Sequence, residues 1–286
     1  MAALTWLITG ASSGLGNALA EHVLDQGQQA VMGARTPEPM MGLAASHPES
    51  ALAVRLDVTD PEDRANFVKV AQDRFGAIDV LVNNAGIDYL GAIEEQDERD
   101  YRAQFEVNFF APVALLRLVL PGMRSRGRGI IVNVSSMDGI ASLPGNAFYA
   151  SSKFALEGLT EALWQEIEPF GLRALLVEPG SFRTGIEKRT RWSGTPIDAY
   201  AITPVGDFRA AMQTLIPEMF PGDPARAAKV IYEVVSSGRM RHWVILGSDA
   251  HRRIGVKLDL QRQEYDAGKE IAFSTDFPGA TVSPVL

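Results

Sequence analysis

The chain of 286 residues has no cysteine, which excludes disulfides, thiolate zinc sites and cysteine nucleophiles together. Histidine is scarce as well, with four in all. His22, His47, His242 and His251 are scattered and lack any paired metal-ligand spacing, so no metal site is expected. Long apolar runs are missing. The longest, Ala111 to Pro121, is broken by Arg117 and is too short to span a bilayer. The segment Met1–Thr9 has no basic stretch before its apolar residues and reads as a strand, not a signal peptide. A basic surface is absent too. The net charge of −8 and the pI of 5.1 disfavour a phosphate-backbone partner, so no nucleic acid is expected. These absences leave a soluble cytoplasmic protein with neither a membrane nor a metal as partner.

What is present is a large apolar fraction, 46% of the chain, enough for a sizeable core. β-rich runs at 4–9, 29–33, 51–56, 79–83, 129–134, 173–178 and 242–246 alternate with helical periodicity at 14–26, 61–75, 98–124, 147–170 and 224–237. Gly27 and Gly76 stand where helices should end, and Asp60-Pro61 reads as an N-cap followed by proline at the first helical position. Such alternation predicts an α/β fold: a doubly wound, Rossmann-like parallel sheet of about seven strands, helices on both faces, three layers in all. A single domain over 1–286 is expected. Segment 183–223 breaks the rhythm and is long enough to suggest a substrate-binding lid. Residues 249–286 read as a charged amphipathic helix and a tail.

In such a fold ligands bind beyond the carboxyl ends of the strands. After the first strand comes Thr9-Gly10-Ala11-Ser12-Ser13-Gly14-Leu15-Gly16, opening into a helix. Its glycines would let the backbone approach a pyrophosphate, and the helix start offers N–H groups and positive dipole. The spacing differs from the G-x-G-x-x-G fingerprint. At the end of the second strand, where an acid would hold a ribose 2′-hydroxyl, stands Met32-Gly33-Ala34-Arg35. A guanidinium suits a 2′-phosphate, which favours NADP(H), with NAD(H) as the alternative. Asp57-Val58 ends the third strand, where an adenine would be met. Asn83-Asn84-Ala85-Gly86 ends the fourth, with Asn83 assigned to tying strands together.

Tyr149 and Lys153 lie four residues apart, one turn on a helix face, and Ser136 lies thirteen before the tyrosine at a strand end. A phenol titrates near pH 10, too high for exchange at neutral pH. A fixed cation beside it favours the phenolate, and a drop of roughly three units corresponds to about 4 kcal/mol.

Taken in order, these residues resemble the short-chain dehydrogenase/reductase family in its compact single-domain branch. The resemblance spans 4–184 and includes Asn108, Pro179-Gly180 and Thr184. It implies a catalytic tetrad. Tyr149 would be the general acid or base, and Lys153 would lower its pKa and hold the nicotinamide ribose. Ser136 would hydrogen-bond the substrate oxygen, and Asn108 would hold a water in a proton relay. It also implies that Asn84, Ala85 and Gly86 flank the cofactor, that Pro179, Gly180 and Thr184 meet its nicotinamide end, and that copies pair as a homodimer or homotetramer through the helix carrying Tyr149. Beside the family, Pro112 supplies a physical expectation. A helix through 98–124 would bond the Asn108 carbonyl to the N–H of residue 112, which proline lacks, so the helix should open there.

The implied reaction is NADP(H)-dependent interconversion of a ketone or aldehyde with an alcohol. Tyr89, Met137, Phe148, Phe182 and Trp192 suggest a fairly large apolar carbonyl as substrate, in the reducing direction. Asp88 and Asp138 lie near the same edge, where turn aspartates are usually solvated. The alternatives are an epimerase or dehydratase with bound dinucleotide, and a non-catalytic dinucleotide-sensing protein.

Overall fold

The computed structural model describes residues 3–185, 190–238 and 241–281. Positions 186–189 of the expected lid, 282–286 of the expected tail, and Met1 and Ala2 of the first apolar run lie outside the described residues. Seven parallel strands form the main sheet: β1 (Thr5–Thr9), β2 (Gln29–Ala34), β3 (Ala51–Arg55), β4 (Val80–Asn83), β6 (Gly129–Val134), β7 (Leu172–Pro179) and β9 (Trp243–Leu246). Their spatial order is β3-β2-β1-β4-β6-β7-β9, so the direction of winding reverses between β1 and β4. That is the switch point at which crossing connections diverge and a crevice opens.

Side chains alternate across each strand, and both sheet faces are covered. Trp6 and Ile8 point into one core with Leu15, Leu19 and Val23 of α1 (Gly14–Asp25) and Ile231 and Val235 of α8 (Pro224–Ser236). Leu7 points the other way, into a core with Phe67 of α3 (Pro61–Phe75), Leu115 of α5 (Ala111–Arg126) and Trp164 of α6 (Ala147–Ile167). The expected signals at the helix ends are in place. The Asp60 side chain accepts from the N–H groups of Glu62 and Asp63, and Gly27 and Gly76 take φ of 70° and 79°.

Four elements escaped the periodicity. Helix α2 (Glu38–Ser46) buries only Met40, and α7 (Pro204–Gln213) buries no residue fully. Strands β5 (Tyr89–Leu90) and β8 (Arg191–Trp192) form a two-stranded parallel patch apart from the main sheet. The chain ends, within the described residues, in α9 (Ser248–Ala267) and α10 (Lys269–Phe273).

The helix opens where Pro112 requires it. Between α4 (Glu98–Phe105) and α5, residues Glu106–Phe110 form a π-helical turn, and the Ala111 N–H reaches the Glu106 carbonyl five residues back. The missing N–H of Pro112 and the bulk of its ring are absorbed by this wider turn. The continuous helical stretch Glu98–Arg126, with 29 residues, is long and apolar enough to cross a membrane, longer than the apolar run alone suggested. Here Leu115, Leu116, Val119 and Met123 bury against the sheet instead.

Buried polar groups tie the layers. Asn83 donates to the Asn133 Oδ1 at 2.8 Å, and Asn133 donates to the Thr160 Oγ1 at 2.8 Å, which joins β4, β6 and α6. Asn133→Ala strands two buried partners, so we expect a loss of about 2–4 kcal/mol in urea unfolding; a change near zero would show that the ladder carries no stability.

Candidate active site

The first strand-helix turn is a narrow backbone cradle. Gly10 and Gly14 adopt φ of 67° and 58°, a region that L side chains rarely enter. A Cβ on Gly16 would collide with the Asn84 Nδ2 and the Gly10 carbonyl. Asn84 is fixed there because its Nδ2 donates to the carbonyls of Thr9 at 2.9 Å and Gly10 at 3.2 Å. The Thr9 hydroxyl accepts from the N–H groups of Asn84 and Ala85, both at 3.0 Å. These bonds bind the ends of β1 and β4 across the switch point. Gly10, Ser12, Ser13, Gly14, Leu15 and Gly16 therefore sit at one end of this crevice, with Ala85 and Gly86 along its wall.

Arg35 is exposed at the end of β2. Asp57, at the end of β3, accepts from the Thr59 N–H and hydroxyl at 2.9 and 2.7 Å. Burial pushes the Asp57 carboxyl up, but the Thr59 bonds and the nearby Arg35 and Arg55 outweigh it and leave its pKa lowered. Val58 is buried beside it. A cradle with no room for side chains, a helix start and an exposed guanidinium fit a phosphorylated dinucleotide.

Ser136, Tyr149, Lys153 and Asn108 meet at the ends of β6 and β4. The Ser136 hydroxyl stands beside the Tyr149 phenol, and its Oγ accepts from the Asp138 N–H at 3.1 Å. Ser135 faces the other way, toward Glu157. Lys153 is 4% exposed and donates from Nζ to the Val134 carbonyl at 2.9 Å, with Nζ 5.7 Å from the Tyr149 ring centre. Burial lowers its pKa to about 8, offset by Glu157, Asp88 and Asp138. Asn108 is 1% exposed. Its Oδ1 accepts from the Ile87 N–H at 2.9 Å, and its Nδ2 donates to the Ile87 carbonyl at 2.9 Å and the Ser152 Oγ at 3.0 Å. The side chain thus clips the loop after β4 to the π turn. A Cβ on Gly86 would lie 3.4 Å from the Asn108 Oδ1 and 3.8 Å from the Lys153 Nζ, so the crevice wall runs directly past the group.

One expectation is reversed. Spacing alone argued that Lys153 would lower the Tyr149 pKa. In the structure burial raises it above the ordinary phenol value, and Asp88 and Asp138 raise it further, against the Ser136 hydrogen bond. The two aspartates are not solvated turn residues. Asp138 is 9% exposed; burial raises its pKa despite Arg253, Ser136 and Lys153. Burial and Asp138 lift Asp88 to about 7, against Lys153 and Thr190. Sequence reasoning also passed over Glu157 and Glu178. Glu178 is fully buried at the end of β7 without a hydrogen-bond partner for either oxygen among the described residues. Burial and Glu157 raise it to about 8. Nothing in the local sequence marks it, since burial arises only when β9 and α6 pack around β7.

The remaining candidates scatter. Tyr89 and Trp192 lie on the paired strands β5 and β8, and Met137 follows Ser136. Phe148 stacks on Tyr101 with centroids 4.3 Å apart. Phe182 is buried against Gly222 in the core cluster with Ala227 and Leu246, which includes neither Met137 nor Tyr89, so no one cluster holds all five. Pro179 pairs with Leu246, Gly180 faces Asp249, and the Thr184 N–H donates to the Phe182 carbonyl at 2.7 Å. The expected lid is pinned through Glu95, which pairs with Arg209 at 2.6 Å and accepts from the Ile197 N–H at 2.9 Å.

A switch-point crevice of this make defines the class of oxidoreductases that work with a nicotinamide dinucleotide on a doubly wound sheet. The chain belongs to the short-chain dehydrogenase family, whose sequence profile matches residues 5–193. It is 34% identical over 280 residues to the oxidoreductase calM of Penicillium decumbens, covering 94% of this chain and 91% of that protein. It is similar to a short-chain dehydrogenase from Streptomyces avermitilis at 40% identity and a TM-score of 0.89, covering 96% and 99% of the two chains. A metagenomic short-chain oxidoreductase in complex with NADP matches at 25% identity and a TM-score of 0.67, over 85% and 96%. A Burkholderia phymatum family member in complex with NAD, at 22% identity, shares the fold, with a TM-score of 0.78 over 98% of both chains.

Two outcomes follow from the geometry. Gly16→Ala forces the cradle apart, so nicotinamide dinucleotide affinity, read by fluorescence titration with NADPH and with NADH, should fall roughly tenfold for a clash of about 1–3 kcal/mol. Glu178 has its pKa raised on folding, so the native state keeps a proton that the unfolded chain releases. Its contribution to stability is complete below pH 4.5 and is lost as pH rises to about 8. Glu178→Gln should therefore raise the unfolding midpoint at about pH 9 and leave it unchanged at about pH 4; an equal effect at both would contradict the assignment.

Proposed function

We propose that this protein is an NADP(H)-dependent oxidoreductase that interconverts a ketone or aldehyde with an alcohol, working as a reductase on a fairly large apolar carbonyl. The observation that carries this reading is the meeting of the Ser136 hydroxyl and the Tyr149 phenol beside Lys153, at the wall of the glycine cradle. Gly10, Ser12, Ser13, Gly14, Leu15 and Gly16 would hold the pyrophosphate end of the dinucleotide. Arg35 would take the 2′-phosphate, and Asp57 and Val58 the adenine. Asn84, Ala85, Gly86, Pro179, Gly180 and Thr184 would line the path to the nicotinamide. When bound, the dinucleotide supplies the hydride.

The side chains then have separate tasks. Ser136 orients the substrate oxygen by hydrogen bonding. Tyr149, whose pKa is raised in the free protein, is held in the protonated form, the state that a proton donor to a developing alkoxide requires. This favours the reducing direction. Lys153 holds the ribose and shares the proton, aided by a depressed pKa near 8. The π turn at Asn108 leaves its carbonyl without the partner that Pro112 lacks, which suits a water that returns the proton to Tyr149. Met137, Tyr89 and Trp192 would provide apolar surface for the substrate, with Phe148 behind them. The reading extends to a cytoplasmic enzyme that pairs through α6, the helix carrying Tyr149, where Phe154 stands exposed.

The test is a panel of ketones and aldehydes with NADPH and NADH. Tyr149→Phe should lower kcat by roughly a hundredfold to ten-thousandfold with NADPH binding retained. Arg35→Ala should cut the NADPH-over-NADH ratio of kcat/KM at least about tenfold. Equal turnover by wild type and Tyr149→Phe would overturn the catalytic reading, and a wild type that prefers NADH would overturn the cofactor reading.

A further inference from the structure

Helix α9 lies outside the segment matched by the family profile, yet it reaches the catalytic group twice. Its Asp249 accepts from the Ser181 N–H at 2.7 Å and packs on Gly180, at the turn that follows β7. One turn later on the same face, Arg253 hydrogen-bonds the Asp138 Oδ1 and the Ala141 carbonyl. The side chain of Arg253 is 20% exposed, that of Asp138 12%. The Ser136 hydroxyl donates to the other Asp138 oxygen, Oδ2, over a long 3.3 Å, and the Asp138 N–H donates back to that Oγ at 3.1 Å. An unbroken line of polar contacts therefore runs from α9 through Asp138 to Ser136 and on to the Tyr149 phenol.

The line creates a competition. A serine hydroxyl has one proton to donate. If Asp138 takes it, Ser136 cannot donate to a substrate oxygen. A carboxylate without a counter-charge is a strong acceptor, and a guanidinium on its other oxygen weakens that pull by sharing the negative charge. The charged and titratable groups around Asp138 are Asp88 from the loop after β4, Lys153 and Tyr149 from α6, and Arg253 from α9. Arg253 alone among them bonds the carboxylate directly.

We propose that Arg253 is a positioning residue of the reaction: by neutralising Asp138 it leaves the Ser136 proton for the substrate oxygen, so α9 completes the active site. This rests on the reductase reading above. It also gives α9 a task beyond covering the sheet edge, since its two polar anchors fix the turns after β6 and β7 relative to each other.

The experiment uses the full chain, with phenanthrenequinone as the carbonyl probe and NADPH as the reductant. Arg253→Met should lower kcat roughly tenfold to a hundredfold, the scale of a misplaced catalytic group, while KM for NADPH stays within about twofold. Arg253→Lys, which keeps the charge, should recover part of the loss and stands in if the methionine variant fails to fold. In an Asp138→Asn background the same Arg253 change should have little effect on kcat. Losses that multiply independently would overturn the proposal, as would an unchanged kcat in Arg253→Met. A second arm needs no turnover: the Asp138 carboxyl titration, followed by carboxyl-carbon NMR, should move upward in Arg253→Met and again in Ser136→Ala. If the wild type reduces no carbonyl while both shifts occur, the reductase reading fails and the coupling stands. If neither shift occurs, the coupling itself is wrong.

Discussion

The structure depends on the hydrogen bonds that join β1 to β4. A doubly wound sheet must part its connections at the switch point, and the parting leaves backbone ends facing an open crevice. Thr9 and Asn84 fill that need with side-chain oxygens and amides on the carbonyls and N–H groups of the neighbouring strand end. Gly16 must be glycine because Asn84 occupies the space above it. The cradle is therefore a consequence of how the two strands are stitched, and the helix start that opens from it inherits its position.

Beyond that seam, charge is handled by burial. Lys153, Asp88, Asp138, Glu157 and Glu178 crowd the carboxyl ends of β4, β6 and β7, and water is largely excluded from them. Desolvation is the first cause of every raised or lowered pKa in this group. The result is a set of acids with values near 7 to 8 beside an ammonium near 8. Such matching places proton exchange within reach of neutral pH without any group at its solution value. The raised acids cost stability as pH rises, and the lowered ammonium of Lys153 costs it as pH falls.

Much of this was legible in the chain. Alternation of strand and helix, Asp60-Pro61 and the glycines at helix ends fixed the layers, because those signals are local. The glycine turn, Asn84, Ser136, Tyr149 and Lys153 were readable because they fall at strand ends or on one helix face, where spacing determines direction. Pro112 disclosed the opening of the helix, since a missing N–H needs no tertiary context. What stayed hidden was long-range. Asp138 looked like a solvated turn until α9 covered it, and Arg253 lies 115 positions away from its partner. The direction of the Tyr149 shift was misjudged for the same reason: spacing reveals the nearby cation, but not the depth of burial or the anions from other loops. Helices α2 and α7 were missed because neither has a well-buried face.

The π turn has a further consequence for how the long helix can vary. A π turn holds one more residue than an α turn spanning the same height, so the faces before and after it are out of phase by about 100°. Before it, Asp100 and Gln104 are buried toward β5 and the Ser193 hydroxyl; after it, Leu115, Val119 and Met123 are buried toward the sheet. One rod thus carries two alphabets, a polar one read by the crevice loops and an apolar one read by the core. The extra residue is the joint between them. Loss of a single position within 106–110 would spin one alphabet out of register with its reader, whereas exchanges of side chain on either side leave the joint untouched.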